Sequence, residues 1–220
     1  MNPVDLRLYG ILDPERARGR DLAALARAAI AGGCTLLQYR DKHAPTRTLV
    51  ERARAIKAAL AGTGVPLLVN DRVDVALAAQ ADGVHVGQDD MHPDDARRLL
   101  GPQAIVGLTL KTEAQADALA SFPVDYGCIG GVFATTSKDN PAPPVGLDGF
   151  ARVAARARRA GCPVGAIAGI DETNAAGVIG AGADGVAVIS AIFSAQDPEA
   201  AARRLRAVVD QSLAARGALP

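Results

Sequence analysis

Short runs rich in Val, Ile and Leu recur along the chain, and each is followed by a stretch whose apolar residues return every three or four positions. The first pattern suits strands buried on both faces and the second suits amphipathic helices, so strand and helix are expected to alternate throughout. Strands are expected over 6–12, 34–40, 66–70, 83–87, 104–109, 125–130, 163–169 and 185–190. After the first of these, Asp21 is a good N-cap, Leu22, Leu25, Ala26, Ala29 and Ile30 share one helical face, and Gly32-Gly33 ends the helix. The next helix is expected to begin around Thr46 to Thr48, where Thr48 and Glu51 have capping-box spacing, and to present Leu49, Ala53, Ile56 and Leu60. Pro93 after His92, and Pro198 between Asp197 and Glu199, stand where proline fits a first helical position.

Eight strand-helix pairs in 220 residues leave about 27 residues per pair, close to the minimum length of a βαβ crossover. The expected fold is therefore α/β, a single-domain (β/α)8 TIM barrel over 1–220 with its core at about 6–210. An open doubly wound sheet is the alternative, but closure removes exposed edges, and eight strands of even period with no second domain favour it. Ala81-Asp82-Gly83-Val84 and Ala183-Asp184-Gly185-Val186 form an internal echo before the fourth and eighth expected strands, half a barrel apart. The plainer account of that echo is a helix-to-strand turn needing glycine at positive φ. Gly180 through Gly185 matches the dinucleotide-binding spacing, yet it precedes a strand, so it reads as a helix stop.

Composition narrows the function more than the fold. Lys and Arg number 24 against 24 Asp and Glu, so no global field attracts nucleic acid and any anion site must be local. Aromatic residues make up 3% with no Trp, which leaves few platforms for stacking bases. Cys34, Cys128 and Cys162 are too widely spaced for a zinc or redox motif and read as reduced, buried thiols. The first residues lack a basic start and an apolar core, and no uncharged run approaches the ~18 residues that span a bilayer, so a cytoplasmic location is expected.

The chemistry gathers where strands end. Leu36-Leu37 runs into Gln38-Tyr39-Arg40-Asp41-Lys42, Leu67-Leu68-Val69 into Asn70-Asp71, Val84-His85-Val86 into Gln88-Asp89-Asp90, and Val132-Phe133 into Thr135-Thr136-Ser137-Lys138. In a parallel barrel these ends converge on one mouth. Alternation along an extended strand points Gln38, Arg40 and Lys42 to the same side. Asp71 and Asp90 end neighbouring strands, close enough to share a magnesium ion that keeps waters and takes phosphate oxygens. Helix capping is the alternative for Asn70 and Asp71, and a loop or near-cap position for Asp90. Lys138, in a loop from Gly130 to Gly146 rich in Gly, Pro, Ser and Thr, is placed to act as a flexible lid cation. His85, inside its strand, reads as packed behind the site.

With these stretches in order, and with Gly182-Ala183-Asp184-Gly185-Val186 through Ile189-Ser190 added, the chain resembles the thiamine phosphate synthase family over nearly its whole length. That family has the (β/α)8 fold and joins hydroxymethylpyrimidine diphosphate to thiazole phosphate, with magnesium, giving thiamine phosphate and diphosphate. The resemblance implies that Asp71 and Asp90 hold Mg2+, while Gln38, Tyr39, Arg40, Asp41, Lys42, Asn70 and Thr109 receive the pyrimidine diphosphate. Lys138 would also reach the diphosphate, and Arg40, Lys42, Thr109 and Lys138 would carry catalysis. Thiazole phosphate would rest on Thr135, Thr136, Ser137, Gly169, Ile189 and Ser190, in keeping with the phosphate site common after strands seven and eight. Two departures stand out. Where many members resemble Gly-Ile-Gly-Gly at strand seven, this chain has Ala166-Ile167-Ala168-Gly169, and at strand five it has Thr109 and Lys111 where Ser and a later His are common. A thiazole tautomerase of the same superfamily would need no diphosphate site, and a non-catalytic phosphate-binding barrel would release none. The expected partners are small-molecule substrates, with neither nucleic acid nor membrane.

Overall fold

The computed structural model describes residues 4–135 and 143–217. Eight parallel strands close in sequence order into one barrel: β1 (Leu8–Leu12), β2 (Leu36–Tyr39), β3 (Leu67–Asn70), β4 (Gly83–Val86), β5 (Ile105–Leu110), β6 (Tyr126–Ile129), β7 (Val164–Ile167) and β8 (Gly185–Val188). Around it lie α1 (Pro14–Ala17), α2 (Leu22–Ala31), α3 (Thr46–Ala59), α4 (Val73–Ala79), α5 (Pro93–Leu100), α6 (Glu113–Asp117), α7 (Gly146–Arg159), α8 (Ala175–Gly180), α9 (Ser190–Phe193) and α10 (Pro198–Gly217). The expected alternation and closed barrel are observed. No helix among the described residues is long and apolar enough to cross a membrane.

Alternation along each strand sorts side chains into two layers. Leu8, Leu12, Leu37, Tyr39, Leu67 and Val69 face outward into the core shared with the helices. Tyr9, Ile11, Leu36, Leu68, Tyr126 and Cys128 fill the lumen. The three cysteines are free and buried, and burial pushes the Cys34 thiol up to about 12 and the Cys162 thiol up to about 11. These are inert packing thiols.

Local signals held unevenly. Asp21 caps α2 by accepting the Ala24 amide at 2.6 Å, and Gly32 ends it. The capping box expected at Thr48 and Glu51 is not formed: α3 starts earlier, behind Pro45, and both residues lie inside the helix. A capping box does form at Thr112 and Gln115, ahead of α6. The echo also has a different cause from a positive-φ turn. Neither Gly83 nor Gly185 has positive φ. A Cβ on Gly83 would lie 1.9 Å from the Ile105 carbonyl oxygen, and one on Gly185 would lie 1.7 Å from that of Leu6, so close strand packing excludes any side chain. The aspartates before them work together with Asp125. Asp82 accepts the Leu67 amide at 2.7 Å, Asp125 the Val106 amide at 2.7 Å and Asp184 the Val164 amide at 2.9 Å. Lys57, Arg97 and Arg216 neutralise the three in turn. These carboxylates seal the N-terminal end of the barrel, which leaves the C-terminal end for chemistry.

Candidate active site

At the C-terminal ends of β2, β3 and β4 the charges meet. Arg40 pairs with Asp13, a buried residue (2% exposed) between β1 and α1, which also caps α1 by accepting the Glu15 amide at 3.0 Å. Lys42 pairs with Asp71, and Asn70 Nδ2 donates to the same carboxylate at 2.6 Å. Asp71 stands in the left-handed region at φ 58°, a conformation Asp tolerates better than most residues. Its amide donates to the His85 carbonyl at 2.9 Å, and that tight turn swings its side chain over the mouth.

Asp90 follows β4, close enough to Asp71 to raise the Asp71 carboxyl. Its carboxylate accepts the Gly87 amide at 2.8 Å, which fixes the turn after β4. Capping explains neither acid, because Arg72 stands at the N-cap of α4 with no side-chain cap bond and His92 caps α5. Burial raises the Asp71 carboxyl above its ordinary value; Lys42 pulls it down, and Asp90 pushes it up again. The two carboxylates are the hard oxygen donors that a divalent cation such as magnesium takes.

Beneath this rim a chain of buried polar groups crosses the lumen. Gln38 Nε2 donates to the Tyr9 hydroxyl, and the Tyr126 hydroxyl donates to the same oxygen at 2.9 Å. His85 Nδ1 lies 2.9 Å from the Tyr126 hydroxyl, and its Nε2 lies 2.9 Å from Thr109 Oγ1. His85 is thus packed below the rim, as expected. The chain joins Gln38 and Thr109 through Tyr9, Tyr126 and His85, which no motif connects.

Across the mouth, a cavity of about 510 Å3 opens between the ends of β7 and β8. Thr135, Gly169, Ile189 and Ser190 all line it, together with Ala168 and Asp171. Gly169 has φ 64°, and a Cβ there would lie 2.4 Å from the Ala134 carbonyl oxygen, so only glycine fits. Asn174 Nδ2 holds the Gly169 carbonyl at 2.8 Å. Ile189 is the N-cap of α9, whose first turn receives no side-chain cap. Thr136, Ser137 and Lys138 lie outside the described residues.

Tyr39 and Asp41, also expected at the substrate, have protein partners on the outer side of the barrel. The Tyr39 side chain is buried among outward-facing core residues, and its hydroxyl donates to Asp41 at 3.1 Å. Asp41 in turn accepts the His43 and Ala44 amides and pairs with Arg52 of α3 at 2.7 Å. Both side chains brace the barrel from outside, where strand alternation puts them. Lys111, in the place of the common His, is exposed, and its amide donates to Gln115. Asp13, Tyr9 and Tyr126 were missed by motif reasoning. Asp13-Pro14 carried a signal, since an N-cap before proline marks where β1 delivers the chain to the mouth.

Strand ends that gather opposed charges, above a closed lumen and beside a pocket at β7 and β8, place the chain among the (β/α)8-barrel enzymes that act on small molecules at this face. Its sequence narrows the class further. The chain belongs to the family described as thiamine monophosphate synthase, whose pattern matches residues 8–192. It is 55% identical to a thiamine-phosphate synthase of Agrobacterium fabrum over 218 residues, covering 98% of this chain and 99% of that one. It is 48% identical to a thiamine-phosphate synthase of Chloroflexus aurantiacus over 206 residues, 94% of each. Its structure resembles that of a thiamine phosphate pyrophosphorylase from Pyrococcus furiosus, with a TM-score of 0.84, 35% identity, and coverage of 96% of this chain and 98% of that one. A 3-hexulose-6-phosphate synthase, with a TM-score of 0.65 and 20% identity, shares the fold alone.

Proposed function

We propose that this chain is a transferase that joins 4-amino-2-methyl-5-hydroxymethylpyrimidine diphosphate to hydroxyethylthiazole phosphate, forming thiamine phosphate and releasing diphosphate. The observation that carries this reading is the meeting of Arg40, Lys42, Asp71 and Asp90 at the C-terminal ends of β2, β3 and β4, where Lys42 pairs with Asp71 and Asp90 raises the Asp71 carboxyl. Asp71 and Asp90 would hold Mg2+, which when bound supplies positive charge for the departing diphosphate.

The remaining work falls to the protein's own groups. Arg40 and Lys42 border the place where negative charge develops, Arg40 held at the mouth by Asp13 and Lys42 by Asp71. Gln38, Asn70 and Thr109 line the pyrimidine side. Thr135, Gly169, Ile189 and Ser190 would cradle the thiazole phosphate in the facing cavity. The family resemblance adds Thr136 and Ser137 to that cradle and Lys138 to the diphosphate. The bond from the pyrimidine methylene to diphosphate oxygen breaks with its electron pair leaving on oxygen, and the thiazole nitrogen lone pair forms the new bond. No protein nucleophile is needed, so catalysis lies in placing two rings in line and neutralising a leaving group.

Magnesium-dependent release of diphosphate from the two substrates together tests the reading, with Asp90→Ala as the variant. Loss of one such preorganised group is expected to cost about 100-fold to 1000-fold in turnover. A folded Asp90→Ala protein that stays within about threefold of wild type defeats the assignment.

A further inference from the structure

We propose that Tyr126 is a positioning residue for the pyrimidine half of the reaction, acting through Tyr9 and His85 to hold Gln38 and Thr109 in register. The inference rests on the reading that Gln38 and Thr109 face the pyrimidine. The five side chains come from five strands, β2, β1, β6, β4 and β5, and meet only because the barrel closes. Tyr126 is the link between the two halves. Its hydroxyl donates to Tyr9 at 2.9 Å, on the Gln38 side, and lies 2.9 Å from His85 Nδ1, on the Thr109 side.

The barrel reserves space for this ring. A Cβ on Gly107 would lie 2.2 Å from Tyr126 Cζ, so the strand beside the phenol carries no side chain there. The ring stacks on His85 with centroids 5.5 Å apart and meets Tyr9 edge-on at 5.9 Å. A lumen needs no such polar chain for stability, since Ile11, Leu36, Leu68 and Cys128 fill the same interior with apolar atoms. Burying linked hydroxyls, an amide and an imidazole is costly unless each is satisfied, and a satisfied network is rigid. Rigidity at this depth fixes the Gln38 amide and the Thr109 hydroxyl directly under the mouth, whereas the cavity at β7 and β8 shares none of the five residues.

That separation gives a test that a merely structural role cannot pass. Steady-state kinetics with magnesium and both substrates are compared for wild type, Tyr126→Phe, Tyr9→Phe and the double variant, with folding checked by thermal melting. Tyr126→Phe keeps the ring and loses one buried hydrogen-bonding hydroxyl, so KM for the pyrimidine diphosphate is expected to rise about tenfold. KM for the thiazole phosphate is expected to stay unchanged. The double variant is expected to lose little more than the worse single one, because both cut the same chain. Both KM values within about twofold of wild type, or both rising together, overturn the proposal. A Tyr126→Phe protein that does not fold passes the same measurement to Tyr9→Phe. Absence of diphosphate release from wild type overturns the proposed function itself, and that result is distinct from a normal wild type beside an unaffected variant.

Discussion

Replacing Ala168 by glycine is expected to stabilise this protein, although removing a buried methyl ordinarily does the opposite. Ala168 follows β7 at φ 94°. A residue with a Cβ is held in such a sparsely populated region at a cost of about 1 to 3 kcal/mol. The conformation is imposed from both sides, since the Ala168 carbonyl accepts the Phe133 amide at 3.1 Å and Gly169 turns next at φ 64°. Two effects oppose the gain. Glycine has more freedom to lose on folding, worth about 0.4 to 1 kcal/mol. One buried methyl contributes up to about 0.8 kcal/mol, and less here because Ala168 lines the open cavity. The middle of these ranges leaves a net gain of about 1 kcal/mol, or about 2 to 4 °C in Tm for a chain of this size. Thermal melts at one fixed scan rate, with urea unfolding beside them, measure it. Ala168→Val supplies the opposite arm, because a β-branched side chain suits positive φ least. The expected order of stability is Gly above Ala above Val. A glycine variant that melts below wild type, or a valine variant equal to it, refutes the strain argument.

Asp71→Asn is expected to raise the Tm of the magnesium-free protein, by about 2 to 4 °C per kcal/mol of relieved repulsion, while abolishing diphosphate release. Because burial holds the Asp71 carboxyl above its usual 3.8, its favourable contribution is complete below that value and disappears as pH rises through the raised one. The wild-type melting curve should therefore lose stability over that acid window, and Asp71→Asn should flatten the loss; an unchanged pH profile counts against the crowded pair. Gly185→Ala is expected to prevent folding or to cost more than about 4 kcal/mol despite an ordinary φ, since its Cβ would sit 1.7 Å from the Leu6 carbonyl oxygen. Soluble expression and urea unfolding check it, and a loss below about 1 kcal/mol would show that β1 and β8 can part at that point.

The barrel was legible because each strand announces itself locally, by an apolar run and by punctuation such as Asp21, Gly32 and Pro93. The rim was legible for a related reason: a polar knot directly after an apolar run has nowhere to lie but a strand end. Alternation also accounts for where Tyr39 and Asp41 lie. The argument that sends Gln38, Arg40 and Lys42 to the mouth sends the two residues between them to the outside. The lumen chain was not legible, because Tyr9, His85 and Tyr126 each look like ordinary core residues within their own strands. Only closure of the barrel, which faces β1, β4 and β6 across one lumen, brings them within 2.9 Å of one another.

The aspartates make the deepest contrast, and residue type alone could not supply it. Asp82, Asp125 and Asp184 each accept a backbone amide and pair with a neighbouring cation, so these charges at the N-terminal end are answered by the fold. Asp71 and Asp90 follow β3 and β4 of the same barrel, yet there Lys42 pairs with Asp71 while burial and Asp90 raise its carboxyl. Satisfied carboxylates stabilise a fold whether or not a ligand arrives, whereas crowded ones lower its stability until a cation relieves them. A chain that seals one end of its barrel so completely has no structural need for the repulsion at the other. The crowding at the mouth is therefore best explained by what binds there.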